Sequence, residues 1–163
     1  MKEQTQNELK EIFSKKLTLT SFFSMHYYLL LFILDIVVKY VACSYQITGY
    51  CLLNMGSSWG LFSNIPNYSS IIAVLSVVVL VLMFTYSTQL KILISGVSFN
   101  FFVAGILGNT LNRITQGGVI DILYLPYMQW FGIFNLADCF LVFGIIYFMY
   151  YEFTRIKAKK ISN

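Results

Sequence analysis

Two aspartates each lie next to an apolar segment, and the residues around them suggest hydrolytic chemistry. Asp121 follows the turn-forming pair Gly117-Gly118, and Asp138 stands three residues after Asn135 at the start of a long apolar run. Two carboxyl groups in one low-dielectric pocket cannot both ionise easily and therefore share a proton. The ionised member can take a proton from water while the protonated member hydrogen-bonds a scissile carbonyl, which is the chemistry of an aspartic peptidase.

Asp138 alone also fits a purely structural role, because an Asp in the first turn of a helix is a common cap worth about 1 kcal/mol. That role does not account for Asp121, a second acidic residue that is expected at the same membrane depth and on the same face of the membrane. The sequence therefore predicts that Asp121 and Asp138 act together.

Further polar residues lie within or at the ends of apolar segments long enough to cross a membrane. Inserting an ionisable side chain into a membrane costs about 2.5–3.5 kcal/mol, so such residues usually mark function. Asp35 and Lys39 are spaced i, i+4 and share one helix face, so they form either a buried ion pair or a substrate contact. Asn109 and Arg113 continue the same spacing from Gly105, which places an amide and a guanidinium on one face. We expect Arg113 to face inward towards a carboxylate or a peptide carbonyl rather than extend to the membrane interface.

Other catalytic and cofactor chemistry lacks its residues in this chain. His26 is the only His and lies near the start of the first apolar segment, far from both aspartates, which argues against a His-dependent triad or a zinc site. Neither a phosphate-binding loop of the GxxxxGK[ST] type nor a GxGxxG dinucleotide fingerprint occurs. The sequence predicts neither a metal nor another cofactor.

Composition indicates which elements position these residues. The chain has 163 residues, of which 58% are hydrophobic and 11% charged, with a mean hydropathy of +0.70. A soluble domain carries about 25% charged residues and a disordered chain few aromatics, so both classes are excluded. Continuous apolar runs of about 20 residues predict an all-α membrane protein with four transmembrane helices, over Ser21–Tyr40, Tyr68–Thr85, Ile92–Leu111 and Phe131–Tyr151.

Basic residues predict the orientation of these spans, because cytoplasmic loops are enriched in Lys and Arg. All Lys and Arg residues except Lys39 and Arg113 lie before the first span, in the turn at Lys91 or after the fourth span. The net charge of +4 reflects this topology and does not indicate nucleic-acid binding. We therefore expect a polar cytoplasmic N-terminal tail over 1–20, a membrane domain over 21–152 and a basic cytoplasmic C-terminal tail over 153–163.

Five short motifs follow one another along these spans. They are Asp35-x-x-x-Lys39, Asn54-Met55-Gly56-Ser57-Ser58-Trp59-Gly60, Ala104-Gly105-x-x-Gly108-Asn109-x-x-Asn112-Arg113, Gly118-Val119-Ile120-Asp121 and Phe134-Asn135-Leu136-Ala137-Asp138. Each motif is weak alone, but the five together, at compatible spacing on a four-span chain, resemble the lipoprotein signal peptidase (signal peptidase II) of bacteria. The resemblance runs from about Ser24 to Tyr151.

The resemblance implies which residues carry the chemistry and what the fold adds to the four helices. Asp121 and Asp138 match the family's catalytic pair. Residues that bind substrate or support the pair are matched by Asn54, Gly56, Asn109, Arg113, Asn135, Asp35 and Lys39. The resemblance also implies a small β-rich extracytoplasmic cradle after the first helix, over about 44–61.

By the same resemblance, the substrates are diacylglyceryl-modified prolipoproteins, whose signal peptide is removed just before the lipidated Cys without metal or nucleotide. The expected partners are these precursors, membrane lipid and the peptide antibiotics that inhibit the family. We expect a monomer in the bacterial cytoplasmic membrane, with both termini in the cytoplasm and the active site near the outer leaflet.

Three positions depart from the family pattern: Asn112 stands where an Asp is usual, Ile36 where a Gln is common and Ile122 where an aromatic is common. These departures leave open a catalytically weakened or non-catalytic homologue that binds lipoprotein precursors or inhibitors. A small transport subunit, in which the aspartates relay protons, is a further alternative. Cys43 and Cys51 are interpreted as small apolar residues, although a disulfide between them on the outer side stays open.

Overall fold

The computed structural model describes residues 27–57, 60–127 and 132–162, so the predicted tail over 1–20 lies outside it. Helices dominate these ranges, with short strands of two or three residues between them. In chain order the elements are α1 (Tyr27–Tyr45), β1 (Leu52–Asn54), α2 (Tyr68–Thr85), α3 (Ser87–Ile94), α4 (Gly96–Gln116), β2 (Val119–Asp121), β3 (Leu123–Tyr124), β4 (Ile133–Phe134) and α5 (Leu136–Ser162).

Among the described residues, three helices are long and apolar enough to cross a membrane: α1, α2 and α5. Their outer faces carry large apolar side chains such as Leu30, Val74 and Met149, which are 63%, 63% and 65% exposed. Apolar surface of this extent is uncommon on soluble monomers and is stable where lipid covers it. The helices therefore support the predicted membrane character.

The third predicted span corresponds to α4, which differs from the other long helices in composition. Its 21 residues include the buried polar side chains of Ser98, Asn100, Asn109 and Asn112. Because α4 packs against α1, α2 and α5, these side chains face protein instead of lipid. Exposing polar side chains to lipid would be energetically costly. The first, second and fourth predicted spans are thus supported by length and apolar composition. The third, which corresponds to α4, stays a prediction.

Helix boundaries differ from the predicted ones for local reasons. The run Ile92–Leu111 is divided at Ser95, whose positive φ of 69° ends α3 and whose side-chain oxygen accepts a backbone N–H in the first turn of α4. The last helix starts at Leu136, because the residues before it form β4, while its predicted first residue, Phe131, lies outside the described ranges. The second span, Tyr68–Thr85, coincides with α2.

The apolar core lies between α2 and α4. It is formed by the buried side chains of Leu80, Met83, Phe99 and Val103. The ring of Phe84 contacts that of Phe99 edge to face, with their centroids 6.2 Å apart. This packing holds α4 in the centre of the helices, which is the position that the site requires.

Small residues let α4 approach its neighbours closely. A β-carbon on Gly105 would lie 2.7 Å from the carbonyl oxygen of Ala137 in α5, so a larger residue would push the two helices apart. Two other small residues of α4 also lie inside the packing, since Ala104 is fully buried and Gly108 faces Asp35 and Ala137. Glycine at these positions brings α1, α4 and α5 together around the polar residues.

The strands lie after α1 and between α4 and α5. β1 pairs antiparallel with β2, with Leu52 opposite Asp121 and Asn54 opposite Val119, and β3 pairs antiparallel with β4. Within the described part of the predicted cradle over 44–61, β1 is the one strand, and its partner comes from beyond α4. A β-rich cradle built by that segment alone is therefore not confirmed.

A disulfide joins Cys43 in α1 to Cys51, the residue before β1. The preferred interpretation of these two residues as separate apolar side chains is therefore wrong. The chain between them turns back on itself, with the N–H of Ile47 donating to the carbonyl of Ala42 and that of Gly49 donating to the carbonyl of Gln46. Their spacing alone carried no information on pairing, because it is the turn that brings the two sulfur atoms together.

Candidate active site

Asp121 and Asp138 line the same cavity, although they come from different elements. Asp121 ends β2 and is 4% exposed, whereas Asp138 lies in the first turn of α5 and is half-buried. The cavity has a volume of about 680 Å³ and is also lined by Asn54, Asn109 and Arg113. The structure thus brings both predicted carboxyl groups and three of their predicted supporting residues to one pocket.

Asn135 connects the two aspartates directly. Its side-chain amide donates a hydrogen bond to Oδ1 of Asp121 at 2.8 Å, and its Oδ1 accepts one from the backbone N–H of Asp138 at 3.0 Å. The second contact determines which end of the amide is the donor, since a backbone N–H needs an acceptor. Because Asn135 is fully buried, this side chain links the position of Asp121 to that of Asp138.

Asp138 also has the capping role that its place in the sequence suggests. The backbone N–H of Asn135 donates to Oδ2 of Asp138 at 3.1 Å, which completes a reciprocal capping box at the start of α5. The cap uses Oδ2 and leaves Oδ1 for a side-chain amide, that of Asn109 at 2.8 Å. Capping and membership of the pair are therefore compatible, and the cap holds the carboxyl group in one orientation.

Asn54 in β1 holds the other oxygen of Asp121. Its Nδ2 donates to Oδ2 of Asp121 and to the carbonyl oxygen of Ser57, both at 3.1 Å, and its Oδ1 accepts from the N–H of Gly56 at 3.0 Å. Each carboxyl oxygen of Asp121 thus accepts one hydrogen bond from a side-chain amide, Oδ1 from Asn135 and Oδ2 from Asn54. A β-carbon on Gly118 would lie 2.9 Å from the carbonyl oxygen of Asn54, so glycine there permits the close approach of β2 to β1.

Asp35 and Lys39 are not among the residues that line the cavity, and they act on one that does. Nζ of Lys39 lies 2.8 Å from Oδ2 of Asp35 and donates to Oδ1 of Asn109 at 3.4 Å. Oδ1 of Asp35 accepts from the backbone N–H of Ala137 at 2.9 Å. Since Asn109 in turn donates to Asp138, the contacts form a closed circuit through α1, α4 and α5.

The ion pair itself is almost completely buried, with Asp35 0% and Lys39 2% exposed. Burying two charges is costly unless their remaining donors and acceptors are satisfied. Asp35 gains a partner at the N-terminus of α5, where the helix dipole favours a negative charge, and Lys39 gains the oxygen of Asn109. Of the two roles predicted for this pair, the geometry matches the buried ion pair.

Gly105, Asn109 and Arg113 all line the cavity, as their four-residue spacing predicts. Nη2 of Arg113 reaches the carbonyl oxygen of Gly56 at a long 3.5 Å, and its Nε has no hydrogen-bond partner within the described residues. Gly56 thus contributes a backbone carbonyl. The guanidinium keeps donors that a carbonyl or carboxylate in the cavity could accept.

Burial raises the pKa of Asp121 above its usual value, because removing a carboxyl group from water disfavours its charged form. The hydrogen bonds from Asn135 and Asn54 oppose this shift, since they stabilise the carboxylate, and the charge of Asp138 adds to it. Burial therefore makes Asp121 easier to protonate than an exposed carboxyl group, which is compatible with a proton-sharing pair.

The cavity becomes apolar away from the aspartates. Its walls there are formed by Ile106 of α4 and by Leu141 and Val142 of α5. Ser76 of α2 also lines the cavity. Sequence reasoning did not select Ser76, because a hydroxyl inside an apolar helix commonly bonds its own backbone and gives no signal. The lining suits an apolar chain segment whose backbone reaches the polar end.

Asn112, the departure from the family pattern, lies outside the contacts of the pair. It is 7% exposed, and its Oδ1 has no hydrogen-bond partner in the part of the chain that the structure describes. The same ranges contain no group of three or more His, Cys, Asp and Glu side chains that could hold a metal ion. The polar lining consists of carboxyl, amide, hydroxyl and guanidinium groups, which donate and accept hydrogen bonds.

Similarity to known proteins is consistent with this site. The lipoprotein signal peptidase of Rickettsia typhi is 34% identical over 96 residues, which are 57% of this chain and 48% of that protein. The lipoprotein signal peptidase of Anaplasma phagocytophilum is 33% identical over 108 residues, 63% of this chain and 69% of that protein. The chain spans about half the length of the Rickettsia relatives that it matches.

A solved structure of a bacterial membrane enzyme has the same fold, with a TM-score of 0.69, 23% identity, and coverage of 86% of this chain and 91% of that one. The model of the signal peptidase (SPase) II family matches residues 27–154, which include all the residues of the candidate site. Because this match takes in most of the chain, the protein belongs to the signal peptidase II family.

Proposed function

We propose that the protein is an aspartic endopeptidase that removes the signal peptide from diacylglyceryl-modified prolipoproteins and cleaves just before the lipidated Cys. Family membership supports the reaction class. The observation that carries the proposal is that Asp121 and Asp138 line one cavity while Asn135 hydrogen-bonds both. Such an arrangement suits two carboxyl groups that share a proton.

In the proposed mechanism, Asp121 carries the shared proton and Asp138 is the carboxylate. Asp138 lies at the N-terminus of α5 and accepts two N–H donors, a setting that favours negative charge. It takes a proton from a water molecule as the water oxygen bonds to the scissile carbonyl carbon. Asp121 meanwhile hydrogen-bonds the carbonyl oxygen and stabilises the tetrahedral intermediate. When the C–N bond breaks, the departing amine takes up a proton from the pair.

Arg113 is proposed to hold the substrate backbone at the polar end of the cavity. Its Nε has no hydrogen-bond partner among the described residues, and the side chain lies on the same helix face as Asn109, one turn from the contact with Asp138. A guanidinium offers donors in a fixed plane, which suits a peptide carbonyl next to the scissile bond. Correct placement of the substrate contributes a large part of a peptidase's rate enhancement.

The membrane setting follows from the same proposal. With α4 as the third of four spans and both termini in the cytoplasm, β1 to β4 and the two aspartates lie at the outer leaflet of the bacterial cytoplasmic membrane. The signal helix then occupies the apolar part of the cavity between α2, α4 and α5, and the acyl chains of the substrate stay in lipid. A monomer suffices, since one chain supplies every residue of the site.

Cleavage of a purified precursor by the purified protein in lipid micelles tests the substrate class. We expect the diacylated precursor to yield a product that begins with the lipidated Cys, identified by mass spectrometry, and the unlipidated precursor to be cut more slowly. Precursor binding without cleavage would instead indicate a non-catalytic homologue. Proton flux in liposomes without cleavage would indicate a transport subunit.

A further inference from the structure

The disulfide partner Cys43 lies on the helix that supports Asp138. It follows Lys39 by four residues and Asp35 by eight, so the three side chains share one face of α1. Lys39 holds the amide of Asn109, and that amide donates to Asp138. Cys43 is therefore attached to the half of the site formed by α1, α4 and α5.

The other partner, Cys51, lies next to the strand that supports Asp121. It directly precedes Leu52, which is opposite Asp121 in the β1–β2 pair, and β1 ends at Asn54, whose amide donates to Asp121. The ring of Tyr50 packs against that of Tyr124 in β3, with centroids 5.2 Å apart. Cys51 is therefore attached to the half of the site formed by the strands.

Among the described residues, few hydrogen bonds of the site side chains connect these two halves. Asn135 donates to Asp121 at 2.8 Å, and Arg113 reaches the carbonyl of Gly56 at 3.5 Å. β1 and β2 have three residues each, and a two-stranded pair is marginal on its own. A covalent link next to β1 can therefore decide how firmly Asp121 is held against Asp138.

We propose that the Cys43–Cys51 disulfide is a positioning element of the active site, which holds β1 and thereby Asp121 at the distance from Asp138 that the reaction needs. This inference rests on the proposed function. In the proposed orientation both cysteines lie outside the cytoplasm, where disulfides persist. Reduction loosens the strand pair without removing any group that touches the substrate.

The experiment uses a Cys139→Ser background, so that no free thiol of the described residues can exchange with the pair. Oxidised protein is compared with reduced protein and with the Cys43→Ser/Cys51→Ser variant, and alkylation with mass analysis confirms each thiol state. We expect kcat to fall about tenfold or more on reduction while KM changes little, because a misplacement of about 1 Å can cost 10²-fold in rate. An unchanged kcat in both the reduced protein and the double variant would overturn the inference.

Amide hydrogen exchange supplies a readout that does not depend on activity. We expect reduction to speed exchange in β1 and β2 and to leave α5 unchanged, which separates local loosening from unfolding. Equal exchange in the strands of oxidised and reduced protein would contradict the inference, as would finding both thiols free in protein purified without reductant. If even the oxidised protein fails to cleave the precursor, the proposed function fails, while exchange still decides the role of the disulfide.

Discussion

Nζ of Lys39 donates to Oδ1 of Asn109 at 3.4 Å, and this contact determines which end of the Asn109 amide faces the cavity. A lysine ammonium can only donate, so the amide oxygen turns towards it and the amide nitrogen turns towards Asp138. A buried charge in the first helix thus orients a donor to the proposed carboxylate without lining the cavity itself.

Replacing Lys39 with Met tests this circuit. The Lys39→Met change leaves Asp35 buried without its partner, and we expect it to destabilise the fold by about 3–5 kcal/mol. The Asp35→Asn/Lys39→Met variant removes both charges and is expected to lose less, measured as the free energy of unfolding in micelles. A loss in the double variant equal to the summed losses of Lys39→Met and Asp35→Asn would show that the two charges are not coupled.

Asn135 allows the cap of α5 to be separated from the contact with Asp121. Asn135→Ser keeps a good capping residue but shortens the side chain, so it loses the amide donated to Asp121. We expect kcat to fall about tenfold or more in both variants, which lose the bond to Asp121, whereas Asn135→Ala loses about 1 kcal/mol more stability than Asn135→Ser because it also lacks the cap. A wild-type kcat in Asn135→Ser would exclude Asn135 as the link between the aspartates.

The pH profile follows from Asp121. Burial raises its pKa, and the mechanism needs its protonated form, so kcat is expected to fall as the pH rises through that raised pKa. The hydrogen bond from Asn54 stabilises the carboxylate of Asp121 and so lowers its pKa. Asn54→Ala removes this bond and raises the pKa, so the alkaline limb of the profile should move to higher pH. A limb that moves to lower pH in this variant would contradict the assignment of the proton to Asp121.

The departure at Asn112 is expected to matter little for catalysis. Its side chain makes none of the hydrogen bonds of Asp121 or Asp138 in the described structure. We expect Asn112→Asp to change kcat by less than about threefold, because substitutions outside a contact network are nearly independent of it. Asn109→Asp is the matched comparison, since the same chemical change there removes a donor to Asp138 and should lower kcat strongly. A large gain in kcat for Asn112→Asp would show that the missing charge limits the enzyme.

Much of the site was predictable, because helical periodicity and charge at membrane depth are local signals. The spacing of Gly105, Asn109 and Arg113 placed them on one face, and all three line the cavity. The spacing of Asp35 and Lys39 predicted either an ion pair or a substrate contact, and the structure contains the ion pair. Lipid penalises unpaired polar groups, so such residues stand out in the sequence.

The rest depended on contacts between distant segments, which no local pattern encodes. Asn54 donates to Asp121 across a sequence separation of 67, and the pairing of β1 with β2 that allows this could not be read from two three-residue strands. The pairing of Cys43 with Cys51 depended on the turn between them. The break at Ser95 arose from one positive φ inside a continuous apolar run.

The most direct measurement is the rate at which purified Asp121→Asn and Asp138→Asn variants cleave a diacylated precursor in lipid micelles, with Glu152→Gln as control. Glu152 pairs with Arg155 in α5, so the control makes the same carboxyl-to-amide change outside the cavity. We predict that each aspartate variant loses about 10³-fold or more in kcat while the control keeps its rate, because the two carboxyl groups act as a unit. Cleavage at the wild-type rate by either aspartate variant would contradict a shared-proton pair.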